Sequence, residues 1–282
     1  MKTAPLLLTV ILSLAAATAG HAQDDDDKVL KLAEPDFTLI SLPTSLRLPA
    51  HKSAFRVTHR LTRPLSCDAC PNSVAGDAFG LDSGARIGLE YRFGIAPNAE
   101  AGVHRASDKT VELFGQYGLA RQGPGWPFEA SALVALDVSD VGQQQAKSQY
   151  SPSLGVVLTR LVGERAALYV EPIWTHHTNL FDTTNPDNST FVIGLGARVR
   201  VLDTVYVVGE VAPRVSGYNP GVAHGSFAVE KRAGGHLFQV NFSDSFATTP
   251  GQIARGGTQG VLANGARSTD WYLGFNISRK FF

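Results

Sequence analysis

The chain has 282 residues, 44% of them hydrophobic and 18% charged, with 25 Lys plus Arg against 25 Asp plus Glu. That composition fits one large domain or two small ones and argues against disorder, while the balanced charge points neither to nucleic acid nor to a solvating acidic tail. Two Cys and one Met exclude a disulfide-stapled mini-protein, a zinc-ribbon array and a Met-lined groove.

Lys2 precedes an apolar run from Pro5 to Ala19, followed by the small residues Gly20 and Ala22. Residues 1–22 are therefore expected to be an export signal peptide. The run is too short for a comfortable membrane-spanning helix, and nothing downstream approaches the roughly 18 consecutive apolar residues that one needs. No Cys lies near the expected cleavage point, which argues against a lipid anchor. Residues 23–52 are expected to form a periplasmic N-terminal segment. It opens on DDDDK at Asp24–Lys28, read as a solvated acidic leader although it equals a protease recognition sequence.

From residue 53 onward strict alternation dominates, the period of strands with unlike faces. The first segment is 53–61. The next places Ala85, Ile87, Leu89, Tyr91 and Phe93 opposite Arg86, Gly88, Glu90 and Arg92. Further segments run near 99–105, 109–121, 127–138, 148–161 and 166–177. Then Phe191, Ile193, Leu195, Ala197, Val199 and Val201 oppose Val192, Gly194, Gly196, Arg198 and Arg200. Segments near 205–214, 225–232, 236–245 and 270–281 complete about twelve strands.

Short turns at Ile95–Asn98, Val162–Arg165, Leu202–Thr204 and Ala233–Gly235 alternate with long connections at Thr62–Asp82, Ser139–Lys147, Thr178–Ser189, Val215–His224 and Phe246–Thr269. Outer-membrane barrels show this asymmetry, with tight periplasmic turns and long external loops. An even count returns both termini to the periplasm. Two places fit poorly: the connection near Ser107 is short for an external one, and Pro152 and Pro172 cannot donate ladder hydrogen bonds.

An exported chain with many two-faced strands and no apolar helix spans a bilayer only as a closed barrel. Residues 53–282 are accordingly expected to form an all-β, closed antiparallel transmembrane barrel in the bacterial outer membrane. Aromatic residues at strand ends, among them Tyr91, Phe93, Tyr117, Phe128, Tyr150, Trp174, Phe191, Trp271 and Phe275, suit the membrane interfaces. A secreted soluble barrel or sandwich would also alternate, with its apolar rows pointing inward. The loop asymmetry, the small residues on the charged face and the terminal Phe282 favour the membrane.

The final segment WYLGFNISRKFF resembles the C-terminal strand that barrel-assembly machinery reads, with Phe275, Phe281 and Phe282 as its signal. Phe281 keeps register with the apolar row, whereas Phe282 has the parity of Asn276 and Lys280. The polar face collects Arg86, Glu90, Arg92, Glu112, Glu171, Arg198, Arg200, Glu210 and Arg214. Inside a barrel such groups need pairing or water, so they imply either a wet lumen or a plug of salt bridges.

Cys67 and Cys70 form C-x-x-C in the first long loop. Export favours a local disulfide there; no βαβ unit supports a redox role, Pro71 stands where haem attachment needs His, and a second Cys pair for zinc is missing. His176, Thr178 and Asn179 spell H-x-T-N at an outer strand end, resembling the H-x-S-N element of outer-membrane phospholipases and lipid A deacylases. The bland reading is an interfacial His pair. His224 and Ser226 make a weaker H-x-S. The Gly-rich stretch Gly256–Gly265 lacks the context of a phosphate-binding loop and is expected to be a mobile external loop.

Beyond these patterns, FRVTHRL around His59 and Arg60, FGLDSGARIGLEYRFG over Phe79–Gly94, YVEPIWTHHTN over Tyr169–Asn179, GEVAPRVSGY over Gly209–Tyr218, EKRAGGHLFQVNFSDSFATTP over Glu230–Pro250 and the terminal YLGFNISRKF resemble an uncharacterised bacterial outer-membrane β-barrel family, the domain of unknown function five-seven-seven-seven. The resemblance spans nearly the whole expected mature chain. It implies a membrane-associated barrel and brings no substrate, activity or catalytic residue. Cys67, Cys70, His176 and His177 depart from it.

The function expected is passive passage of small polar solutes, without enzyme activity, cofactor, metal or nucleic acid, and with outer-membrane lipids and the assembly machinery as partners. The alternatives are a closed structural or adhesive barrel and a lipid-ester hydrolase using His176 and Thr178.

Overall fold

The computed structural model describes residues 32–66, 70, 73–139, 150–179, 188–261 and 267–281. Twelve strands follow one another around a barrel: β1 Ser53–Leu61, β2 Ala85–Ala96, β3 Ala99–Ala106, β4 Thr110–Ala120, β5 Glu129–Ser139, β6 Tyr150–Val162, β7 Ala166–His176, β8 Ser189–Leu202, β9 Val205–Ala212, β10 His224–Ala233, β11 His236–Ser243 and β12 Tyr272–Phe281. Each pairs antiparallel with its neighbours in sequence, and β12 closes the ring on β1, from Ser53 opposite Phe281 to Arg60 opposite Gly274. Antiparallel closure of first strand on last demands an even number, so the count and the loop asymmetry support each other.

Which face meets which solvent is decided by neighbours on one strand: Leu89 is 48% exposed and Glu90 only 5%. Ile87, Tyr91 and Phe93 project outward with Leu89, and the same holds around the ring for Leu113, Val134, Leu154, Val170, Leu195, Val207 and Val240. A soluble monomer does not expose an apolar belt on this scale, whereas hydrocarbon requires one. Outward aromatic residues gather toward the ends, Phe93, Tyr117, Phe238 and Phe281 toward the short turns and Tyr150 and Trp174 toward the long loops. No helix among the described residues is long and apolar enough to cross a membrane.

The awkward prolines occupy positions that the β6–β7 ladder does not use. Pro152 pairs with Leu136 of β5 and precedes the first β6–β7 pair, Ser153 with Thr175. Pro172 lies in the interval between the pairs Gly155–Ile173 and Leu158–Val170, where a missing N–H costs nothing. The connection after β3 is indeed short, three residues ending on Lys109 at φ 69°.

In the first long loop Asp77 is a clasp. Its Oδ2 accepts from Ser83 Oγ at 2.5 Å and from Arg63 Nη1 at 2.8 Å, ahead of a short 3-10 segment, Ala78–Ser83. These contacts, the Ser83 hydroxyl first and the Arg63 guanidinium second, hold the Asp77 carboxyl below its ordinary value. A depressed carboxylate stabilises above its unfolded pKa and stops doing so as pH falls through the folded one. Amide exchange over residues 73–84 is therefore expected to stay slow at mildly acidic pH and to accelerate only below the usual aspartate range. Asp77→Asn should accelerate it at neutral and mildly acidic pH and remove the acid transition.

The N-terminal segment departs from expectation. The sequence places residues 23–52 in the periplasm, yet the described part enters the barrel, and every residue from Ala33 to Leu46 is buried. It enters at the short-turn end, where the Tyr206 hydroxyl donates to the Leu32 carbonyl. A tight turn reverses it: Leu39 N–H donates to the Leu42 carbonyl at 2.8 Å, Thr38 bridges Pro43, and Thr44 N–H donates to the Phe37 carbonyl at 2.9 Å. The chain then returns to the same end at Leu48 before β1 begins. From the opposite end the loop after β11 folds inward, and its one-turn helix α1, Pro250–Ile253, is wholly buried. Leu39, Ile40 and Leu42 of the plug share one apolar cluster with Ala247, Ile253 and Ala254 of that loop. Plug and loop together fill the lumen.

Candidate functional site: the plugged lumen

A buried segment without regular structure must find partners for its backbone groups elsewhere. Here the wall supplies them. Glu210 on β9 sits under the turn, its Oε2 accepting from Ile40 N–H at 2.9 Å and Leu42 N–H at 3.2 Å, its Oε1 from Ser41 N–H at 2.9 Å. His224 on β10 lies 3.2 Å from Glu210 Oε1 through Nε2 and 3.0 Å from Asp244 Oδ1 through Nδ1. Both ring nitrogens thus face carboxylate oxygens, an arrangement that an imidazolium satisfies with its two N–H groups.

The plug's carbonyls are read from the other side. Arg198 on β8 holds Glu230 bidentately at 2.8 and 3.0 Å and gives a further N–H to the Thr38 carbonyl at 2.7 Å. Gln239 donates to the Leu39 carbonyl at 2.8 Å. The Ile40 carbonyl accepts from Arg56 and from Asn276 Nδ2, the latter at 3.2 Å. On the returning limb Gln116 donates to the Thr44 carbonyl at 2.7 Å, and Glu100 accepts from Leu48 N–H at 3.0 Å while pairing with Arg92 at 2.6 Å. Asp36 is held by Lys280 and Ser278 at 3.4 and 2.8 Å.

The apolar side chains of the turn need room, and β8 provides it. A Cβ on Gly196 would lie 2.2 Å from Leu39 Cδ1, and one on Gly194 would lie 3.0 Å from Leu42 Cδ1. Side chains of any size there compete with the plug. Gly196→Leu is therefore expected to unseat the turn without touching the strand ladders, raising ion leakage through reconstituted vesicles while heat-dependent gel mobility reports a folded barrel.

Of the nine charged residues expected in the lumen, Glu90, Arg92, Glu112, Glu171, Arg198 and Glu210 are buried there. Glu90 pairs with Arg92 at 2.5 Å; Glu112 lines a cavity of about 20 Å³ with Thr38, Ser41, Thr248 and Pro250, room for one water. The Glu171 carboxylate has no hydrogen-bond partner among the described residues. The other three lie at the rims, because parity fixes a residue's face and not its height. Arg86 reaches Asp108 at 3.5 Å and lies over the Phe246 ring. Arg200 reaches Glu164 at 3.7 Å beside a short turn. Arg214, in the irregular extension Arg214–Ser216 that pairs with β8, donates to the loop carbonyls of Pro220, Val222 and Arg255.

The H-x-T-N element does not assemble. His177 adopts φ 54° and turns the chain, so Thr178 does not continue the outward row of Trp174 and His176. Thr178 is instead fully buried and donates to the Thr175 carbonyl, while His176 Nδ1 lies 2.6 Å from Ser189 Oγ. His224 and Ser226 are within 3.3 Å, but both are buried in the lumen and away from lipid. Cys70 is disulfide-bonded; Cys67, its expected partner, lies outside the described residues. Phe275 and Phe281 belong to the outward row of β12, and Phe282 lies outside the described residues. The Gly-rich loop, expected to be mobile, is held at Gly257 by a bridge to Val222, and Gln259–Val261 pairs with Arg267–Thr269. Among the described residues no group of three or more His, Cys, Asp and Glu is placed to hold a metal ion.

The sequence reading missed the wall residues Arg56, Glu100, Gln116, Glu230, Gln239 and Asn276. Their parity on strands already delimited was the available signal. It missed the plug because Phe37, Leu39, Ile40, Leu42, Leu46 and Leu48 follow no strand or helix period; their density in a segment assigned to water was the only hint.

Solved outer-membrane barrels share this architecture. The chain is similar to a NanC porin at 6% identity, covering 82% of this chain and 99% of that one with a TM-score of 0.50. It is also similar to a KdgM porin in complex with disordered oligogalacturonate, at 7% identity over 82% and 99% with a TM-score of 0.49. The outer membrane channel DcaP of Acinetobacter baumannii aligns at 8% identity over 82% and 96%, with a TM-score of 0.36. No curated protein sequence matches. The family match covers residues 36–281 and so begins inside the plug. With its apolar outer belt and closed ladder the protein is an outer-membrane β-barrel, and the chain belongs to the family described as membrane bound beta barrel domain (DUF5777).

Proposed function

We propose that this protein is a gated channel of the bacterial outer membrane, closed by its own N-terminal segment and passing small polar solutes when that segment withdraws. The supporting observation is the chemistry of the wall beneath the plug. Arg56, Glu100, Gln116, Arg198, Glu210 and Gln239 meet the plug through hydrogen bonds that water can replace. Such a wall can exchange the plug for water at a lower cost than an apolar one could. With the plug gone, the lumen presents both signs of charge and selects weakly among ions. The loop after β11 guards the external mouth, and Phe275 and Phe281 on β12 serve recognition by the assembly machinery.

A closed scaffold that displays its loops to a partner draws on the same filled lumen. Planar-bilayer recording separates the two. The gated channel opens in brief events in the full chain and conducts steadily in a chain lacking residues 33–48. A full chain that stays silent at every voltage, or a folded plug-free barrel without current, overturns the proposal.

A further inference from the structure

The wall groups around the turn bind the plug's main chain. Carbonyls of Thr38, Leu39 and Ile40 are taken by Arg198, Gln239, Arg56 and Asn276, and three consecutive N–H groups from Ile40 to Leu42 converge on Glu210. The wall meets the turn's side chains through shape: Leu39 and Leu42 fill the space left by Gly196 and Gly194, and Ile40 is wholly buried in the same apolar cluster, while the Ser41 hydroxyl donates to the Ala247 carbonyl of the inward-folded loop at 2.8 Å. Polar recognition of plug side chains by the wall lies on the flanks, at Asp36 with Lys280 and Ser278, at Ser45 with Glu129 and at Arg47 with Asn98.

A buried carboxylate that faces three N–H donors, opposite guanidinium and amide donors that face carbonyls, is a template for peptide amides in a turn. Emptying it leaves those groups unpaired unless water or a ligand of matching pattern replaces the plug. We infer that the vacated lumen is a peptide-binding site, which takes short peptides bearing adjacent bulky aliphatic residues, and that the plug is its resident ligand. This names the solute class of the channel proposed above and rests on that reading. Neutral sugars offer hydroxyl groups to the same wall but nothing for the aliphatic space beside Gly194 and Gly196.

The test keeps the wall intact and disables the plug in the full chain by Leu39→Asp, Ile40→Asp and Leu42→Asp together. Buried carboxylates in the apolar cluster expel the turn, and the variant conducts. A synthetic peptide of residues 36–45, added from the short-turn side, is expected to cut that current about tenfold. The same peptide with aspartate at positions 39, 40 and 42, and a neutral oligosaccharide of similar size, leave it unchanged. Glu210→Gln in the open variant is expected to weaken the block by about tenfold, the loss of one charge-assisted contact. An open current that the peptide leaves untouched, or that the sugar blocks equally, overturns the peptide site while the channel stands. If the variant carries no current the channel reading fails, and fluorescence anisotropy of the labelled peptide with the detergent-folded variant decides the site alone. Should the triple variant not fold, the chain lacking residues 33–48 takes its place in both measurements, with the same outcomes decisive.

Discussion

A chain lacking residues 33–48 is expected to reach the membrane as the same twelve-stranded barrel and to conduct ions at least about tenfold better than the full chain, as an emptied polar lumen does. Folding survives because no strand ladder uses the plug. β1 begins at Ser53 and is paired on both sides, with β2 and with β12. The strongest wall contacts also survive, since Arg198 with Glu230 and Arg92 with Glu90 and Glu100 join wall to wall. What is lost is apolar filling at Leu39, Ile40 and Leu42 and the partners that the plug gives to Glu210, Gln116 and Gln239. Water replaces them, the effective dielectric rises, and the exposed pairs become sensitive to salt. The remaining obstruction is the loop after β11, tied to the wall by Thr249, whose hydroxyl donates to Asp137 at 2.5 Å. Adding Thr249→Ala to the deletion is expected to raise the current further. Single-channel conductance measures both steps, and heat-dependent gel mobility verifies folding.

The barrel was legible in the sequence because two solvents write on every strand. Hydrocarbon outside and polar filling inside force opposite chemistry at alternate positions, so β2 was bounded to within three residues at one end, and β1, from Ser53 to Leu61, was bounded at both. The same rule fails wherever the chain leaves the ladder. Thr178 follows His176 at the correct parity, but the left-handed His177 between them redirects it inward. Arg86, Arg200 and Arg214 have the lumen parity and lie at the rims, since alternation carries no coordinate along the barrel axis. The plug was illegible for a deeper reason. Its backbone partners are side chains on β1, β3, β4, β8, β9, β11 and β12, contributed from up to 236 positions away in sequence, and no local period encodes them. Signals of that kind exist only in the pairing of a segment with its container.

Glu210→Leu is expected to shift the plug equilibrium toward the open state by roughly a hundredfold to a few thousandfold. The carboxylate accepts from three plug N–H groups and faces His224, all buried. Removing one member of such a set strands the others, at a cost of about 3–5 kcal/mol for a broken buried charge pair, and each 1.4 kcal/mol or so is a factor of ten. The folded wall carries that cost only while the plug is seated, because in the open state water solvates both the N–H groups and the imidazole. Destabilisation therefore appears as opening and not as unfolding. Glu210→Gln retains one acceptor oxygen and should fall between the two, which tells lost hydrogen bonding from lost charge. His224→Gln removes the imidazole beside Glu210 but leaves the three N–H bonds in place, so it should open the barrel less than Glu210→Leu does. Open probability in single-channel records reads all three. A Glu210→Leu channel that opens no more often than the full chain would mean that aliphatic packing against Gly194 and Gly196 alone seats the plug, and that the polar cradle contributes orientation without holding force.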